Sequence, residues 1–265
     1  MPFTPSHAVV ALPFIRTPLV PAAIAIGAMT PDLPLFLGGV GLRYSFTHTF
    51  GNVLWTGLVA FALFLLWRVV LRPAVGELSP TWLARRLPVG WEQRGIAAAR
   101  ASIGVGSSDR LYPFMLAASL LLGVLSHIVW DLFTHEARWG VQVFPALDDA
   151  WGPFTGYKWL QYGSSAIGLL VIAIWATVRL AHAVPRAHLE RTTPPAVRIA
   201  WWLSLPAVLI TAWVVGYAGY GPFTEAFTYQ HLAYRVLPPA CALWGVLTLA
   251  LCLSLPLFRR RHQRG

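Results

Sequence analysis

Five separate stretches of this chain are apolar for long enough to cross a membrane, and nothing else in it constrains the fold as strongly. A hydrocarbon core about 30 Å thick needs about 20 apolar residues per helix. Residues 53 to 71, 112 to 133, 160 to 181 and 199 to 219 meet that requirement, and a fifth window runs from 233 to 258. Charged residues make up only 11% of the 265 and the mean hydropathy is +0.60, whereas soluble domains carry about 25% charge. The expected fold is an all-α, polytopic membrane helical bundle of five transmembrane helices plus broken N-terminal half-helices. It reads as one membrane-embedded domain over 1 to 265.

The first 52 residues are apolar but interrupted by Pro2, Pro5, Pro13, Pro18, Pro21, Pro31 and Pro34. Proline removes a backbone donor and crowds the preceding turn, so these residues suit half-helices or a re-entrant element rather than a span. Thr4-Pro5 reads as an N-cap followed by an N1 proline, with His7 in the first turns, and Thr30-Pro31-Asp32 repeats the pattern. No basic n-region or small-residue cleavage site marks a signal peptide, so the first membrane segments are expected to direct insertion.

The formal charge of +10 is distributed by loop. Fifteen basic residues fall between 68 and 110, between 179 and 198, and between 259 and 264, whereas only Arg43, Arg138, Lys158 and Arg235 fall in the alternate loops. That asymmetry predicts a cytoplasmic loop over 72 to 111, a second over 182 to 198, and a cytoplasmic C-terminus. The basic excess therefore reports topology and anionic-lipid contact, not nucleic acid. Within the loop 72 to 111, ELSPTWLARRLP and GWEQRGIAAARASI suit short helices on the membrane surface. Cys241 and Cys252 lie inside the last window and are expected to pack there, with neither a disulfide nor a cysteine metal site.

The helix 112 to 133 then runs outward and carries His127 and Asp131 near its outer end, with His135 beyond them. Residues four apart on a helix are separated by about 40° and about 6 Å along the axis, so this pair can grip one ion. His135 would be about 12 Å from His127 if the helix continued, too far for one metal to bind both. It would serve a second ion, contact substrate or do neither. His48 precedes the first span on the same side, and His7 and Asp32 are expected there too. Each has an ordinary alternative: a hydrogen-bonded core histidine, a water-facing acid, a first-turn acid favoured by the helix dipole. Together they converge as metal ligands do. His182, His188 and His262 fall on the cytoplasmic side as solvated residues, and His231 is expected at the interface. Glu136, Asp148, Asp149 and Glu225 are outer-loop carboxylates available as extra ligands or a base. Lys158, the only lysine, and Arg43 or Arg138 are candidates to hold a phosphate or headgroup. Tyr157, Trp159 and Tyr162 also suit Lys158 to an interfacial anchor.

The motifs MPFTPSHAVVALP, GAMTPDLPLF, THTFGN, SHIVWDLFTH and YKWLQYGSS resemble, over nearly the whole chain, an uncharacterised bacterial family of polytopic membrane proteins classed as a domain of unknown function. The order His, PD, TH, HxxxD is also similar to LexA-regulated inner-membrane proteins described as metal-dependent hydrolases. More distantly it is similar to the zinc-dependent phospholipase C family. That likeness implies Asp32, His48, His127 and Asp131 as zinc ligands and matches His7 to an early histidine of the site. A downstream HxxxE pair of that family is missing here, which leaves one or two ions rather than three.

Two readings follow. One is a hydrolase of the bacterial inner membrane, acting at the outer face on a phosphoester or lipid-linked ester. In it, zinc sits on Asp32, His48, His127 and Asp131, with His7 and His135 as second-metal ligands or acid/base groups and Lys158 or Arg43 on the anion. The other is a non-enzymatic transporter or scaffold whose His/Asp cluster is structural.

Overall fold

The computed structural model describes residues 3–38, 41–106, 108–189 and 191–262. Pro2 and Arg264 lie outside them, and the side chains of Arg259, Arg260, Arg261 and His262 are likewise not described. The chain opens with a 3₁₀ helix, Thr4–Phe14, followed by α1 (Pro21–Met29), a 3₁₀ turn at Thr30–Asp32, α2 (Leu33–Phe36) and α3 (Tyr44–Thr47). α4 (Val53–Leu66) continues through a π-helical stretch, Trp67–Leu71, into α5 (Arg72–Leu78), and α6 (Thr81–Ala84) and α7 (Gly95–Ser102) are short. Then come α8 (Tyr112–Thr134), α9 (Trp139–Val143), a two-residue hairpin of β1 (Ala150–Trp151) and β2 (Phe154–Thr155), α10 (Gly156–His182), α11 (Pro195–Tyr220) and α12 (Tyr229–His262). Among the described residues five helices are long and apolar enough to span a bilayer: Phe50–Leu78, Tyr112–Thr134, Gly156–His182, Pro195–Tyr220 and Tyr229–Pro256. They fit an all-α multi-pass membrane protein, each span longer at one or both ends than its apolar window. The wide turn at Trp67–Leu71 precedes Pro73, whose ring cannot be accommodated by an unbroken α-helical ladder.

Contacts divide the chain into two compact units. One comprises Met1–Leu33, Leu42–Leu66 and Ala99–His182. In it α1 lies against α8 with Gly27 facing Gly123. A methyl on Gly27 would overlap the Leu120 carbonyl, and one on Gly123 would overlap the Ile24 carbonyl. This backbone-to-backbone approach is how small residues let apolar helices pack in lipid. The start of α1 is tied to the same neighbour, because the Val20 N–H donates to Ser119 Oγ at 2.8 Å. Ala23, Ala60, Phe64, Leu116, Leu120, Val124 and Ile128 fill the shared core. The 3₁₀ helix runs along α10: the Phe3 N–H donates to Ser165 Oγ at 2.9 Å and Gly168 faces the Ser6 carbonyl.

The other unit comprises Pro34–Gly41, Trp67–Ala98 and Ala183–Gly265. α11 and α12 pair through Trp201, whose Nε1–H donates to Thr248 Oγ1, and through Trp244, whose Nε1–H donates to Ser204 Oγ. Buried Glu77 accepts from the Thr192 and Thr193 N–H groups and hydroxyls, with Arg94 3.6 Å away, so a buried charge is offset by donors on three sides. Cys252 is buried and Cys241 half-buried, both free, as packing residues would be.

Candidate metal centre

The site lies in the first unit, at the end of α8 and ahead of α4. Gly123, His127 and Asp131 stand at four-residue intervals on α8, and His127 has no exposed surface. The contact at Gly123 brings α1 close enough for the His127 Nδ1–H to donate to the Ala28 carbonyl at 2.7 Å. A carbonyl only accepts, so the proton is on Nδ1 and Nε2 is left as a bare lone pair. This is how proteins orient a metal-binding imidazole.

His48 is set up in the same way from another element. Its Nδ1–H donates to the Tyr44 carbonyl at 3.0 Å, one turn back in α3. The neighbouring Thr47 hydroxyl reaches the Pro31 carbonyl at 2.7 Å, which fastens α3 to the turn carrying Asp32. Asp32 is 1% exposed. Its Oδ2 accepts from the Thr4 hydroxyl at 2.6 Å, and Oδ1 is turned to the histidines. The expected N-caps are therefore corrected. Thr4 does not cap its own helix, and the Thr30 hydroxyl donates back to Ile26. In a 3₁₀ helix residues three apart eclipse, so Thr4 and His7 share the ridge that meets the site.

Four donor atoms converge. The two Nε2 atoms are 3.2 Å apart. Asp32 Oδ1 is 3.6 Å from each of them, and Asp131 Oδ2 is 3.5 Å from His48 Nε2 and 3.4 Å from His127 Nε2. Donors about 2.0–2.1 Å from one zinc stand about 3.3–3.4 Å apart, and two triads, Asp32 with His48 and His127, and His7 with His127 and Asp131, each bring ligand atoms within 4.8 Å of one another. The residues fit a divalent ion on charge as well, since two carboxylates and two neutral imidazoles carry the opposite charge. Two bare lone pairs cannot face each other at 3.2 Å without a cation between them, so either an ion or a proton must sit there. For the proton, burial of His48 works against charging it, but hydrogen bonds to Asp131 and Asp32 outweigh burial and raise its pKa. Tyr44 closes one side, stacking on His48 and donating its hydroxyl to Asp131 Oδ2 at 3.4 Å.

His7 joins the cluster. Its ring stacks on His127 with centroids 4.0 Å apart, it offers a donor atom within 4.8 Å of His127 and Asp131, and its Nε2 has no hydrogen-bond partner. Burial, reinforced by His127, pulls its pKa down to about 4, so the ring is neutral near pH 7. Asp131 Oδ1 is likewise buried without a partner. α8 ends at Thr134 and His135 turns extended, with Nδ1 3.6 Å from Asp131 Oδ1. Both its ring nitrogens are engaged: Nδ1–H donates to the Asp131 carbonyl at 3.3 Å and Nε2 accepts from the Gln161 amide at 3.3 Å.

The remaining candidates lie outside the four-donor cluster. Arg43 is exposed and Lys158 half-buried on the first turn of α10. Glu136, Asp148, Asp149 and Glu225 are exposed, as are His182 and His188, and exposed His231 accepts from the Thr228 N–H at the start of α12. The sequence reading missed Tyr44, Thr47 and Gln161 and gave Thr4 a different task. Their roles depend on contacts between segments, although Tyr44 stands four residues before His48, the spacing of a helical back-contact.

The class is thus a multi-pass helical membrane protein with buried His/Asp groups able to hold a metal ion. The chain belongs to the family described as Domain of unknown function (DUF4184), whose model matches residues 1–251. No curated protein and no solved structure matches it.

Proposed function

We propose that this protein is a membrane-embedded, zinc-dependent hydrolase that acts on a phosphoester or lipid-linked ester at the extracytoplasmic face of a bacterial inner membrane. The observation that carries the reading is the pair of Nε2 atoms 3.2 Å apart, facing two buried carboxylates, with each imidazole held at Nδ1 by a backbone carbonyl. Asp32, His48, His127 and Asp131 hold the ion, which supplies Lewis acidity toward a phosphoryl or acyl oxygen. His7 is the base: water adds to phosphorus or carbonyl carbon as the ester bond breaks, and His7 Nε2 takes a proton from the water and returns it to the leaving alkoxide. Lys158 and Arg43 serve the anionic group from the rim, and His135 holds Asp131 in place. The likeness of the His, PD, TH, HxxxD order to metal-dependent hydrolases supports the same chemistry.

Elemental analysis of detergent-purified protein tests the site. Wild type carries zinc near one ion per chain, whereas monodisperse His127→Ala and Asp131→Ala carry background levels. A wild type that stays empty after incubation with zinc overturns the proposal. Turnover of chromogenic phosphoesters and esters tests the chemistry: His7→Ala keeps its zinc and loses about 10²–10⁴-fold in rate, the range of a general base. Bound zinc without any turnover, combined with unfolding on chelation, would instead mark a structural ion.

A further inference from the structure

A cavity of about 730 Å³ opens beside the metal centre, between the 3₁₀ helix, α8 and α10. His7 lines both the cavity and the cluster. Its lining is mostly apolar, with Val10, Pro13, Trp159, Leu160, Ile167 and Val171 among its walls, and Ser6, His7, Ser126 and Ser164 are the polar residues set into it. Its α10 wall runs from Trp159 to Val171, about 18 Å of helix. That wall belongs to a span, so Ile167 and Val171 are at hydrocarbon depth, and both are exposed along its side. The volume lies within the range of about 300–1,000 Å³ typical of ligand sites.

Resting on the hydrolase reading, we propose that this cavity holds the single long apolar chain of the substrate, so that the scissile ester or phosphoester at the head of an amphiphile is presented to His7 and the metal centre. A soluble phosphoester would leave the apolar wall unused. A single-chain lipid entering sideways from the bilayer lays its chain along that wall while its polar head meets His7 and the serine hydroxyls. The substrate class is thereby narrowed to lipids in which one chain is joined to the reacting group.

Gly163 makes the test possible. It lines the cavity, and a Cβ added there meets nothing within 4 Å, so Gly163→Phe blocks the space without displacing backbone. Gly245 on α12 is equally open and serves as the control site. The probe is a lysophosphatidic acid whose palmitoyl chain carries a diazirine. It is irradiated with zinc-loaded protein in detergent and the crosslinked residues are identified by mass spectrometry.

Crosslinks should concentrate at Val10, Ile167 and Val171 and be competed by the unlabelled lipid. They should fall about tenfold in Gly163→Phe and stay unchanged in Gly245→Phe, with equal zinc content throughout. Labelling spread over all the exposed spans, insensitive to competitor and to Gly163→Phe, means annular lipid only and overturns the proposal while the metal site stands. Groove labelling in a protein that binds no zinc retains the lipid site and overturns the hydrolase reading on which its role as substrate depends.

Discussion

Asp32 meets the metal centre with one carboxylate oxygen and is anchored by the other, which makes Thr4 a positioning residue. Outer partners of metal ligands typically account for about 10–100-fold in affinity. Thr4→Val should therefore weaken zinc binding by about tenfold in a chelator competition, and Thr4→Ser should restore it. The same residues fix the pH response of the metal-free protein. The pKa of His7 is lowered to about 4 from 6.5, so the unfolded chain binds the extra proton in that window and stability rises with pH from 4 to 6.5. The pKa of His48 is raised, so its contribution is complete below 6.5 and is lost as pH climbs through the raised value. Thermal unfolding of the metal-free protein should accordingly be most resistant near pH 6.5. The stabilisation added by zinc should grow above that, because zinc replaces the His48 proton. A metal-free melting temperature that keeps rising from pH 6.5 to 8 would contradict this assignment. At this scale the clustering of the candidate ligands was legible, since His127 and Asp131 announce themselves by spacing in an apolar helix and Asp32 and His48 by their proximity to span ends. Thr4 and Tyr44 were not, because a hydroxyl has ordinary local uses and only tertiary contact reveals which it adopts.

Among the elements, the contact of α1 with α8 does most to hold the site together. Gly27 and Gly123 let the two backbones touch, and one turn later His127 reaches the Ala28 carbonyl. Gly123→Ala must push the helices apart, at a cost of about 1–3 kcal/mol for an overpacked contact, and should also weaken zinc binding because His127 loses its carbonyl. Gly163→Ala, at an open helical position, removes backbone freedom without a clash and should stabilise by about 0.5–1 kcal/mol. Denaturation of both variants beside wild type decides the matter, and equal destabilisation of the two would mean that the close approach is unimportant. The five spans were legible from hydropathy because length and apolarity alone require them. The N-terminal pieces were legible only as interruptions. Seven prolines rule out a span, but they do not specify an eleven-residue 3₁₀ helix packed along α10, whose form depends on Gly168 and Ser165 in a segment about 160 residues away.

For the whole molecule, the charge asymmetry of the loops bears directly on which side of the membrane the candidate metal centre faces. The loops after Leu78 and after His182 carry seven basic residues, Arg85, Arg86, Arg94, Arg100, Arg110, Arg186 and Arg191, against Arg138 alone in the 135–155 segment, and successive spans must alternate in direction. The proposed orientation, argued from the positive-inside rule, has those loops in the cytoplasm and the 135–155 segment, contiguous with the end of α8, outside. Asp148 in that segment and Ala187 in the loop after α10 are both exposed, so each can carry a reporter thiol once Cys241 and Cys252 have been replaced by alanine. A membrane-impermeant maleimide applied to intact cells should label Asp148→Cys at once and Ala187→Cys only after permeabilisation. The reverse pattern would turn the site toward the cytoplasm and remove outer-leaflet lipids as its substrates. The zinc measurements would be unaffected, because the ligand geometry does not depend on which compartment the site faces.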